Sequence, residues 1–223
     1  MASERIAAKR AALRARIVDA ALEAFAARGF EATTTADIAD RLQMTGPSLY
    51  HYFRTKDELL FACIEQVLQQ LQEALAKADD GEGPATGRLA RVVRAQVAME
   101  LRNGSAAPLV NAHLYGPQHL VDVLNAEQRD ALRVRQRAIV QVYRGLIAQG
   151  VAEGALRVDD VAVAAFNVLA IVQYSGVWYR PRRGRRMVDL VDAQVAAVLQ
   201  LLGAGSAPEA PAARGRSRTP RET

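Results

Sequence analysis

Apolar residues in this chain recur at spacings of three and four along most of its length, and nowhere in the strict alternation of a half-buried strand. Ile17, Val18, Ala21, Leu22 and Phe25 form one such stripe, and Leu60, Ile64, Val67, Leu68, Leu71 and Leu75 form another. Two later stretches, Asp159 to Trp178 and Met187 to Leu202, carry apolar side chains on most sides. A helix of that kind must be buried from several directions. Aromatic residues make up only 5% of the chain, and Ala, Val and Leu supply most of its apolar bulk. That composition suits closely packed helices rather than a β-sandwich. The predicted fold class is all-α.

Local signals divide the chain into helices. Gly29 after Arg28 reads as a left-handed helix end. Thr34 followed by Asp37 resembles a capping box opening a short helix to about Leu42. Gln43-Met44-Thr45 is the turn, and Thr45-Gly46-Pro47 reads as an N-cap with proline in the first turn of a brief helix to about Tyr52. Thr55 opens the next helix, with Asp57 and Glu58 where the helix dipole favours them, running to about Lys77. After the Gly/Pro-rich break from Asp79 to Gly87, helices are expected over Arg88–Leu101, Ala107–Tyr115, Ala126–Gln149 (closed by Gly150), Asp159–Trp178 and Met187–Leu202.

Three short helices and a sharp turn within residues 17–60 are the parts of a helix-turn-helix. Pro47, Ser48, Tyr50 and His51 have the chemistry for base edges, thymine methyls and phosphates. Ile38, Ala39, Leu42, Met44, Leu49 and Phe53 would form the small core behind them. Taken singly, Tyr50 and Tyr52 suit local packing as well as DNA contact. The net charge of +5 is compatible with nucleic acid. Arg5, Lys9, Arg10, Arg14 and Arg16 near the N-terminus either extend the first helix or reach across phosphates.

The joint pattern is more specific. Gly29-Phe30, Thr33-Thr34, Ile38-Ala39, Met44-Thr45, Pro47-Ser48-Leu49-Tyr50, Tyr52-Phe53, Lys56 and Glu58-Leu59-Leu60, with these gaps, resemble the DNA-binding domain of the TetR family. The resemblance implies an N-terminal three-helix DNA-binding domain over residues 11–71. It also implies a helical ligand-binding and dimerisation domain over 84–202, and the composition of 203–223 predicts a disordered basic tail. By resemblance, Thr33 or Thr34, together with Lys56, would touch phosphates, while Tyr50 or Tyr52 would pack against the backbone or a thymine methyl. Thr45, Gly46, Pro47, Ser48, Tyr50 and His51 would read bases. The family often has Gly where this chain has Gln43, and Lys where it has Gly46.

The expected partners are double-stranded DNA with a palindromic operator, a second copy of the chain and a small-molecule effector. Tyr143, Leu146-Ile147, Gly150, Gly154 and Leu156, followed by Trp178-Tyr179-Arg180-Pro181, are similar to TetR-like regulators of fatty-acid and steroid breakdown, which respond to acyl-CoA thioesters. His113, Tyr143, Phe166, Tyr174, Trp178 and Arg180 are the corresponding candidate ligand-binding residues. The basic run Arg180–Arg186 would meet CoA phosphates or be an exposed loop. His113 and His119 would be pocket groups or satisfied structural histidines, with too few neighbouring ligand types for a strong metal site.

Other classes find little support. No phosphate-binding glycine loop or nucleophile motif emerges, so neither an enzyme nor a cofactor is implied. Cys63, the single cysteine, is expected to be packed and unreactive. No secretory leader or membrane span is legible, which points to the cytoplasm. An effector-independent regulator and an activator stand as alternatives to a ligand-released repressor.

Overall fold

Helix ends here are set by short polar side chains and glycines, and those ends position everything else. The computed structural model describes residues 2–102, 124–178 and 186–205. The predicted helix over Ala107–Tyr115, the histidines His113 and His119, Arg180 and the tail from 206 onward lie outside them. Helix α1, Ala2–Arg28, buries Ile17, Val18, Ala21 and Phe25. It stops at Gly29, whose φ of 86° only glycine adopts easily. The basic N-terminal segment continues α1 as regular helix, and residues 3–16 are exposed apart from half-buried Leu13.

Helix α2, Thr35–Arg41, has the reciprocal cap expected of it: the Asp37 N–H donates to Thr34 Oγ1 at 3.1 Å, and the Thr34 N–H donates to Asp37 at 2.8 Å. Those Thr34 donors, helped by Arg28, hold the Asp37 carboxyl below its ordinary range. Helix α3, Gly46–Tyr50, is shorter than predicted, and α4, Lys56–Ala78, starts on the Thr55 cap. Between α2 and α3 the chain turns through Gln43 with φ 55°, a left-handed conformation at a residue with a Cβ. Gln43→Gly is therefore expected to stabilise the fold by about 0.5–1 kcal/mol, less whatever the freer unfolded chain takes back. Thermal unfolding checks this: an unchanged or lower midpoint would show that the turn carries no strain.

The second half is built around α5, Ala85–Arg102, which packs against α4 and, among the described residues, against each later helix: α6 (Ala126–Ala152), α7 (Val161–Gln173), α8 (Ser175–Trp178) and α9 (Met187–Leu201). Helix α5 begins before the predicted Arg88 because the Glu153 carboxylate, distant in sequence, accepts from the Ala85 N–H at 3.0 Å. The connector ahead of it is clamped by Arg88, which grips Asp79 with two nitrogens at 2.7 and 2.9 Å. Gly150 does not close α6. The helix passes through it and ends before Gly154, with φ 69°. Gly150 instead leaves room for Leu156, whose Cδ1 would lie 2.5 Å from any Cβ placed there. The predicted helix over Asp159–Trp178 is broken at Tyr174 into α7 and α8, with Asp160 as cap. Beyond α9, the Arg157 N–H donates to Leu202 O at 2.8 Å and stitches the helix end to the α6–α7 connector.

One continuous apolar core runs from Ile17 to Leu202. Helix α4 belongs to both halves of it, so a domain limit at residue 71 falls inside a helix. Cys63 is buried within this core, its thiol pushed well above the ordinary range by that burial and by Asp19. Among the described residues, no helix is long and apolar enough to cross a membrane.

Candidate nucleic-acid interface

Helices α2 and α3 form a braced pair with one apolar side and one open side. Ile38, Ala39, Leu49 and Phe53 are at most 1% exposed and fasten the pair to α1 and α4. On the open side stand Pro47, Tyr50 and His51, with Ser48 half-buried beside them. Tyr50 is 51% exposed, and its hydroxyl lies 3.1 Å from Thr35 Oγ1 at the start of α2. That bond orients the phenol without enclosing it. Thr45 caps α3 through the Ser48 N–H, and the two hydroxyls lie 2.8 Å apart. Each retains further hydrogen-bonding capacity, since a hydroxyl has one donor and two acceptor positions. Gly46 has open space around it, so α3 can approach a partner closely there.

Three expected contacts take on other duties. Thr33 is 0% exposed and donates its hydroxyl to Gly29 O at 2.8 Å, which removes it from the phosphate-binding set. It serves the α1–α2 loop instead. Thr34, though exposed, spends its hydroxyl on Asp37 at 2.7 Å. Lys56 lies 4.2 Å from the Phe30 ring and donates to Glu31 O at 3.3 Å, so its ammonium is tied to the same loop. Tyr52 is half-buried and packs on the core.

One of the basic N-terminal residues stands at this open side. Arg10 lines an open groove of about 680 Å³ with Gln43, Thr45, Ser48, His51 and Tyr52. Arg14, one turn on, stacks over Phe53 at 4.8 Å. The signal was present: positions 10, 13, 14 and 17 share the face of α1 that is buried further along. A cation therefore stands directly beside the exposed side chains of α3.

The candidate ligand residues do not converge. Tyr143 is fully buried on α6 and donates to Gln96 Oε1 at 2.7 Å. Phe166 is 71% exposed and Tyr174 48% exposed, because Ala164, Ala165, Val168, Leu169 and Val172 take the inward face of α7. Those two side chains face outward rather than into a chamber with Tyr143. Trp178 ends α8, and His113 and Arg180 lie outside the described residues. Gln96 and Glu100 were missed; their signal was a polar interruption of the α5 stripe Leu89, Val92, Val93 and Val97.

Comparison with known proteins agrees with this geometry. Residues 17–63 match the family described as bacterial regulatory proteins, tetR family, and residues 82–202 match the tetracyclin repressor-like C-terminal domain. The chain belongs to the TetR family. It is similar to the HTH-type transcriptional repressor KstR2 of Rhodococcus jostii, 28% identical over 83% of this chain and 88% of that protein. It is also similar to the HTH-type transcriptional regulator TtgR of Pseudomonas putida, 29% identical over 69% and 74% respectively. Among solved structures, a TetR-family regulatory protein from Rhodococcus RHA1 superposes with TM-score 0.76 at 26% identity, covering 86% of this chain and 98% of that one. AibR, solved with isovaleryl coenzyme A and operator DNA, shares the fold with TM-score 0.71 at 24% identity over 82% and 96%. As a TetR-family member the protein is a DNA-binding transcriptional regulator, in a family of regulators rather than enzymes.

Proposed function

We propose that this TetR-family protein is a homodimeric repressor that holds a palindromic operator and is released by a small-molecule effector. The observation that carries the DNA half is the open side of α3: Ser48, Tyr50 and His51 stand outward on a helix locked from behind by Leu49 and Phe53, with Arg10 alongside. A rigid element with projecting polar and aromatic groups suits major-groove readout, while the cation suits phosphate. The dimer reading rests on the outward side of α7 and α9. Val163, Phe166 and Tyr174 are exposed at helical spacing, and Leu201 is 48% exposed on α9. Monomeric proteins seldom leave such a face to water, and a twofold partner would cover it. An acyl-CoA or related lipid is the effector class favoured here, by analogy with AibR and its isovaleryl coenzyme A.

Retention of DNA fragments from upstream of the protein's own gene tests the reading. Binding is expected to be sequence-selective and to weaken as salt rises. A Ser48→Ala, Tyr50→Ala double variant should lose about tenfold to a hundredfold in operator affinity while keeping its thermal midpoint. Full affinity in that variant, or indifference to DNA sequence, would remove α3 from the account.

A further inference from the structure

The middle of the second half holds a polar group whose hydrogen bonding is incomplete. Gln96 lies on α5, the helix that touches every other described helix of that half, and none of it is exposed. Its Oε1 accepts from the Tyr143 hydroxyl at 2.7 Å, but its Nε2 has no partner. A buried amide donor left without an acceptor is unfavourable, and native proteins seldom leave one without a use. Glu100 follows one turn later on the same helix. Burial raises its carboxyl to about 7, a rise that the Gln96 amide tempers without reaching hydrogen-bond geometry. Tyr143 is pushed up as well, by its burial and then by Glu100. Around these three groups the α5 and α6 positions Val93, Val97, Ile139 and Ile147 are buried and apolar.

We propose that Gln96, Tyr143 and Glu100 form the polar anchor of the effector site, and that the effector presents there an uncharged carbonyl oxygen on an otherwise apolar body. This deepens the repressor reading and rests on it. The free Nε2–H calls for an acceptor, which a ketone, ester or thioester oxygen supplies. An anion is disfavoured at the same spot. Glu100 would repel it when ionised, and three cations of α5 are committed elsewhere: Arg88 to Asp79, Arg91 to Asp80 and Arg94 to Asp192. A bound carboxylate would gain a hydrogen bond from Gln96 and lose more by being desolvated beside a second carboxyl. The anchor thus selects the neutral end of a molecule, wherever any charged portion lies.

The test uses the full-length dimer on its operator and three ten-carbon probes that differ only at one end: decan-2-one, decanoate and decane. Operator release is titrated with each, for the wild type and for Gln96→Met, which fills the same volume without the donor. The ketone is expected to act at concentrations at least about tenfold below decanoate and decane, and Gln96→Met should abolish that preference. Tyr143→Phe, which frees Gln96 Oε1, should reduce it. Equal potency of the three probes, preference for decanoate, no response to any of them, or a preference surviving in Gln96→Met would each overturn the anchor. Operator binding without probe is scored separately. If both proteins hold the operator while the ketone has no effect, the anchor alone fails; if the wild type holds no operator, the repressor reading fails.

Discussion

Phe166→Asp is expected to yield a monomer that no longer holds its operator. Phe166 is the most exposed large apolar side chain among the described residues, and it shares one face of α7 with Val163, Asn167, Ala170 and Tyr174. Burying a phenylalanine contributes about 1.5–3 kcal/mol, and the proposed twofold interface would count every contact twice. Aspartate would remove both contributions and place two unpaired carboxylates in the seam. The combined loss should exceed about 4 kcal/mol, roughly a thousandfold in dimer affinity. Operator binding should fall with it, since two copies of α3 must be held about 34 Å apart to enter successive grooves. Sedimentation across a concentration series reads the first effect, and operator retention reads the second. A variant that stays dimeric would move the subunit contact away from α7.

Glu100→Gln should flatten the stability of the protein between mildly acidic and mildly basic pH. The Glu100 carboxyl titrates near 7 in the folded chain against 4.5 as its ordinary value, because burial opposes its charge. Within that window the folded state keeps a proton that the unfolded state has released. Stability contributed by Glu100 is therefore fully present below the lower value, and it falls as pH rises until it levels off above 7. At about 1.4 kcal/mol per pH unit, the loss over the whole window is about 3.5 kcal/mol. Asp79 works in the opposite sense and elsewhere on the scale. The Arg88 guanidinium holds its carboxyl below the ordinary range, so its contribution is lost only as pH falls through the acid region. Urea unfolding at pH 5 and pH 8 separates the two. The wild type should weaken between those points, and Glu100→Gln should lose most of that difference. Equal slopes in the two proteins would show that Glu100 ionises as freely as a surface carboxyl.

What could be read in advance follows from how far each cause lies along the chain. Thr34, Thr45, Thr55 and Asp160 cap helices through atoms two or three residues away, so the reading elements and their order were visible in the sequence. The start of α5 was not, because its cap comes from Glu153. Gly150 looked like a stop for a local reason, yet its role is to admit Leu156 after the chain has turned back. Thr33 and Thr34 are chemically alike neighbours, and only the third dimension puts one inside and the other outside. Helix α7 hid its phase by being apolar all round, so nothing local told Phe166 from Val168. Gln96, by contrast, was a visible break in an apolar stripe, legible to anyone who asked what a polar residue does there.

The stitch between Arg157 and Leu202 has a mechanical consequence. Gly203, at φ 68°, rests against Arg157 with its Cβ position 3.1 Å from the backbone oxygen, so the exit of α6 and the foot of α9 interlock. Neither helix keeps a loose end there. A guest that tilted α6 near Tyr143 would drag the foot of α9 along, and in the proposed dimer that would alter the spacing of the two copies of α3.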